Sequence, residues 1–193
     1  MKLLNHAHQL LNTKSKGATV WVMGLFSMVF LMILTVFVLQ LASFKAASDD
    51  LEDALAGSNL ASALIDIEAY GINHSLIIAD ALRSYDIYKH TLATNLSLDD
   101  SENSRIPMII SRVVVEKYCI YNVYKDYIEE IQVSDEGIVS ISKENIGQMY
   151  APNGQLVEST GVYSELSFWV KGFFGIDSMA HKGKLVEVNT IYE

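Results

Sequence analysis

Cysteine is nearly missing from this chain: Cys119 is the only one, so no disulfide can form within it and any exported part must rely on its core. Proline is almost as scarce. The two prolines are Pro107 and Pro152, so nothing between residues 18 and 70 carries the usual helix breaker. Basic clusters are missing too. The chain has 14 Lys and Arg against 23 Asp and Glu, a net charge of −9, and no run of cations to hold a phosphate backbone, which argues against a nucleic-acid partner. Signatures of chemistry are absent as well. There is no glycine-rich phosphate loop, no His-Glu-x-x-His, no Gly-x-Ser-x-Gly and no Cys-x-x-Cys. His74, His90 and His181 stand isolated, and Asp99, Asp100 and Glu102 lack calcium-loop spacing. Cys119 lies between Tyr118 and Ile120, where a small buried hydrophobe is expected and not a nucleophile. The expectation is a non-enzyme with no catalytic residue, cofactor or metal.

Charge is absent from one long stretch, and the chain is organised around it. No Asp, Glu, Lys or Arg occurs between Lys16 and Lys45, and residues 20–39 are apolar apart from Gly24, Ser27 and Thr35. About 20 such residues cross the hydrocarbon core of a bilayer as a helix. The run is too long for the apolar centre of a signal peptide, and residues 41–48 make a mediocre cleavage context, so an anchor is expected. Lys2, Lys14 and Lys16 precede the run without an acid, while all 23 acids follow it. By the positive-inside rule Lys14 and Lys16 hold the N-terminus in the cytoplasm, and the remainder is extracytoplasmic. Gly24 and Ser27 are small enough to let helices approach closely in lipid, a candidate self-association face.

The chain then divides into a cytoplasmic basic leader (1–17), a transmembrane helix (18–44), an exported amphipathic extension (45–71) and an α+β domain (72–193). In the extension Phe44, Ala47, Leu51, Ala54, Leu55, Ala61 and Ile65 form one stripe, and beyond Gly57-Ser58-Asn59 Leu60, Leu64 and Ile67 open a second apolar face roughly opposite it. The first part is therefore expected to project semi-exposed from the membrane and the last part to be wrapped by the domain. Gly57-Ser58-Asn59 is the weak point of this helix, which the sequence leaves open to run on or to kink there, and Gly71 is the expected stop. A second helix is predicted over 75–97, with Ile78, Leu82, Tyr85, Tyr88, Leu92 and Leu96 on its apolar side. Residues 98–107 read as a polar loop. From residue 108 to 192 Val, Ile and Tyr dominate, giving five to seven antiparallel strands: residues 109–127 read as a strand pair or one long bulged strand, residues 163–170 and 184–191 alternate, and turns fall at Ser134–Gly137 and Pro152–Gly154. Trp169, Phe173 and Phe174 belong to the densest aromatic run outside the membrane segment, a core strand or a partner surface.

A short basic leader ending in glycine, Lys14-Ser15-Lys16-Gly17, directly before the apolar helix Ala18-Thr19-Val20-Trp21-Val22, resembles the type IV filament superfamily. The match is most like the minor pilins and pseudopilins of bacterial tight-adherence pilus systems. The order of long helix, second helix and antiparallel strands agrees with it loosely over the whole chain. The resemblance implies cleavage by a prepilin peptidase between Gly17 and Ala18, and partners among other subunits of a pilus or secretion system. It also implies packing of the freed helix with its neighbours. The family usually carries glutamate at the fifth mature position, where this chain has Val22, which suits a minor or non-filament component better than a major pilin. Two expectations follow. One is a pilin-like structural or assembly component; the other is a permanently anchored, single-pass extracytoplasmic binding or envelope accessory protein, which keeps Met1 and does not self-assemble.

Overall fold

The computed structural model describes residues 2–106, 108–172 and 176–188; the side chains of residues 2–18 and of Asn73 lie outside that description. The chain forms two compact units, residues 1–45 and 46–193. The first is helix throughout its described length. The second is an α+β unit in which a five-stranded antiparallel sheet carries helices on one face.

Helix α1 spans Lys2–Ser62 and is continuous through Gly57, the point the sequence left open. It stops at Ser62 and not at Gly71. Its last carbonyls are held by backbone and side chains together: the Asn59 carbonyl accepts from Ala63 N–H (3.1 Å) and Ser62 Oγ (2.8 Å), and the Ser62 carbonyl from Leu64 N–H (2.8 Å) and Ser84 Oγ (2.7 Å). Asp66 then starts a new helix. Its carboxylate accepts from the N–H groups of Glu68 (2.9 Å) and Ala69 (3.1 Å), capping α2, Ile67–Asn73. Gly71 lies inside α2, and the left-handed residue that ends it is His74, with φ 54°. Helix α3, Ala81–Asn95, is shorter than the predicted 75–97 because the Asp80 carboxylate caps it at the Arg83 N–H (2.9 Å).

The strands are β1 (Val114–Val123), β2 (Tyr127–Ser134), β3 (Gly137–Asn145), β4 (Gly161–Val170) and β5 (Ser178–Glu187), in the spatial order β3-β2-β1-β4-β5. The stretch that read as a strand pair or one long bulged strand is a single strand, β1, whose register against β4 shifts between Val115 and Lys117. The predicted turn at 134–137 joins β2 to β3, with Gly137 at φ 117°, a conformation that costs glycine nothing. The β5 strand begins before the alternation seen at 184–191, and the end of that alternation lies outside the described residues.

Burial corrects the expectation for the first part of the extension: Ala47, Leu51, Ala54 and Leu55, expected to project, are core. In the last part Leu60, Leu64 and Ile67, the second apolar face of a stretch expected to be wrapped, are exposed. The stripe continues through Ser58 and Ser62, which are also buried, so the core-facing row is 47, 51, 54, 55, 58 and 62 at helical spacing. On α3 the stripe holds at Tyr85, Tyr88 and Leu92, but Leu82 is exposed and Ala81 and Ser84 are buried in its stead. These residues pack on Tyr118, Ile120, Ile131, Val133, Val162 and Leu166 of the sheet. At the centre the Tyr118 ring lies 4.8 Å from Tyr88 and 5.1 Å from Tyr85, pairs worth about 0.5–1.5 kcal/mol each beyond their area. The opposite face has its own smaller core, where Met149, Ala151 and Val157 from the β3–β4 connection cover Cys119, Tyr121, Ile128, Tyr163 and Leu185.

Candidate functional site

Among the described residues one helix is long and apolar enough to cross a membrane, beginning at Thr19. Its large side chains from Val20 to Leu39 are exposed all round. The hydroxyls in this run are turned inward: Thr35 Oγ1 donates to the Leu31 carbonyl (2.8 Å) and Ser43 Oγ to the Leu39 carbonyl (3.0 Å). Gly24 and Ser27 lie three residues apart and thus on one face, both exposed, and a Cβ added at Gly24 would meet nothing within 4 Å. Lys14, Lys16, Gly17 and Ala18 all fall within α1, their side chains outside the described residues.

The second unit joins α1 to the sheet through polar groups that the sequence pattern did not reveal. Asn59 is fully buried; its Nδ2 donates to the Lys184 carbonyl (2.8 Å) and its Oδ1 accepts from Ser164 Oγ (2.7 Å). Tyr118 Oη lies 2.7 Å from Ser84 Oγ, which already donates to Ser62 and therefore accepts from the phenol. Nearer the start of the unit, Glu52 bridges Lys182 (3.0 Å) and Lys184 (2.5 Å) of β5. The two ammonium groups hold its carboxyl at about 2, well below the ordinary 4.5. Lys182 Nζ also reaches Ser48 Oγ at 3.3 Å. Cys119 is buried, and the loss of solvent, with Glu130 beside it, pushes its thiol up to about 12, the opposite of what activates a nucleophile.

Of the aromatic run, Trp169 ends β4 half-exposed, while Phe173 and Phe174 lie outside the described residues. The sheet register supplies neighbours for Trp169 that are distant in sequence. Met179 pairs with it directly across β5. On the other side the Ile110 N–H donates to the Trp169 carbonyl (2.9 Å), next to the Ile109–Val170 bridge. Directly opposed residues share a face, so Ile110, Trp169 and Met179 make one cross-strand row, exposed by 47%, 46% and 49%. Val114, paired with Ser167 two residues before Trp169 on β4, adds exposed apolar surface, and Ile176 between β4 and β5 is exposed as well. Only pairing brings this row together, which is why the sequence pointed to the aromatic run and not to Ile110 or Met179. Comparison with protein-family models, with curated proteins and with solved structures finds no match.

Proposed function

We propose that this chain is a single-pass membrane-anchored structural or assembly subunit, pilin-like in plan, with residues 1–17 as a cytoplasmic leader and the sheet unit on the extracytoplasmic side. One observation carries the reading. A single helix, α1, contains both the uncharged run after Lys16 and, from Ala47 to Ser62, a central part of the second unit's core. Anchor and folded unit therefore share an element, an economy suited to a protein whose helix serves first as a membrane store and then as packing material for neighbours. The charge asymmetry about the run supports the orientation. The partners are other subunits of a pilus or secretion system of the tight-adherence kind and, for processing, a prepilin peptidase.

The test is the N-terminal sequence and intact mass of the membrane-extracted protein made alongside an active prepilin peptidase. The proposal expects a new N-terminus at Ala18 and expects Gly17→Ala to block its appearance. An intact Met1 under those conditions overturns the processed-pilin reading. The second reading, a permanently anchored extracytoplasmic accessory protein, is favoured by Val22 standing where the family usually has glutamate. It predicts that intact Met1.

A further inference from the structure

We propose that the end of the sheet bearing Ile110, Trp169, Ile176 and Met179 rests in the polar–apolar interface of the bilayer that α1 anchors in. The inference rests on the reading of residues 18–44 as a membrane span.

Three observations converge on this end of the unit. The first is where the chain enters. Asn59 sits at the Ser164–Lys184 pair, and the contacts of Glu52 and Ser48 then move to Lys182, so passing backward along α1 follows β4 forward toward Val170. From Asn59 back to Ala46 is about 20 Å of helix at about 1.5 Å per residue. From Ser164 to Val170 is about 20 Å of strand at about 3.3 Å per residue. The strand ends at Val170 and Ser178 therefore lie toward the end of the second unit at which α1 enters it, with Ala46 the first residue of that unit and the uncharged run ending two residues earlier at Phe44.

The second observation is composition. The opposite strand ends, near Gly161 and Glu187, are buried or half-buried beneath the β3–β4 connection, but this end leaves its apolar row uncovered. Tryptophan, with an apolar ring and a donor N–H, favours the interface over either water or hydrocarbon. The third is charge. The sequence between β4 and β5, from Lys171 to Asp177, has one cation and one acid, with no net charge to repel or attract a headgroup layer. The contact is thus apolar, and it persists without anionic lipid.

Trp21 and Trp169 are the two tryptophans of the chain, which makes the idea directly measurable. Full-length protein is reconstituted into phosphatidylcholine vesicles whose acyl chains bear bromine at a shallow or a deep position. Trp21→Phe leaves Trp169 as the sole emitter, and Trp169→Phe leaves Trp21. The proposal expects Trp169 to lose emission to the shallow label more than to the deep one. If Trp21 is quenched and Trp169 is not, the proposal is overturned and the span reading stands. If neither is quenched, the span reading fails and takes the proposal with it. Trp169 shielded from iodide yet untouched by either label points to a protein covering the patch, which also overturns the proposal. Met179→Asp in the Trp21→Phe protein should abolish the shallow quenching while the thermal melt of the sheet is retained. Quenching that survives this change overturns the assignment of this face.

Discussion

Glu52 shows how one side chain ties the entering helix to the last strand. Its carboxylate lies between Lys182 and Lys184, and both lower its pKa to about 2. A carboxyl whose folded pKa lies below its unfolded value stabilises the fold above the unfolded pKa. That contribution is lost as pH falls through the folded pKa. The window here runs from the ordinary 4.5 down to about 2. Asp99, held low by hydrogen bonds from Asn103, and Asp135, held low by Lys89, lose stabilising power on the same side. Thermal melts of the wild type should therefore fall on acidification through this range. Those of Glu52→Gln should fall less steeply, starting from a lower value at neutral pH. Because the triad is partly exposed, added salt should narrow the gap between the two proteins. Equal acid slopes would show that the bridge contributes nothing to folding.

Within the helix α1 the two apolar faces make opposite predictions. Leu55 is fully buried against the sheet, and Leu60 is 59% exposed. Leu55→Ala removes buried methyl groups and leaves a cavity, a loss of about 2–5 kcal/mol, whereas Leu60→Ala should stay within about 0.5 kcal/mol. Denaturant melts of the two variants decide it, and a larger loss at Leu60 would show that its face is the packed one. The expectation that the extension stands clear of the domain before Gly57 failed for a physical reason. Gly57-Ser58-Asn59 looked like a place for the helix to bend because serine, asparagine and glycine are poor helix formers. Here Ser58, Asn59 and Ser62 lie on the core-facing side, their polar atoms bonded to carbonyls and hydroxyls of α1 and β4–β5. A helix that must meet strand backbone at close range can use such small polar residues where leucine would not fit, and hydropathy cannot tell this from a loop. Elements with purely local causes were legible: the uncharged run, the 134–137 turn, the alternation of β4 and the aspartate-rich loop before the strands. The apolar row at Trp169 was not, because cross-strand pairing places Ile110 and Met179 beside it, and in the sequence they lie about 60 and 10 residues away.

At the scale of the molecule the division falls at Lys45 and Ala46, and the second unit contains every described buried residue of the core. Nothing before Ala47 contributes to either hydrophobic cluster. A fragment spanning residues 46–193 should therefore fold by itself. Its new N-terminus would place Asp49, Asp50, Glu52 and Asp53 in the opening turns of the shortened helix, where negative charge is favoured by the helix dipole at about 0.3–1 kcal/mol per group. A shorter fragment, 65–193, should not fold. It lacks Leu51, Ala54 and Leu55, and it leaves Ser164 and Ser84 without the Asn59 and Ser62 groups they bond inside the core. Expressed without the apolar run, the longer fragment should be soluble and melt cooperatively, and the shorter one should show neither property. If 46–193 aggregates or melts without cooperativity, the two units are not independent, and the apolar helix contributes to the fold of the sheet as well as to its anchorage.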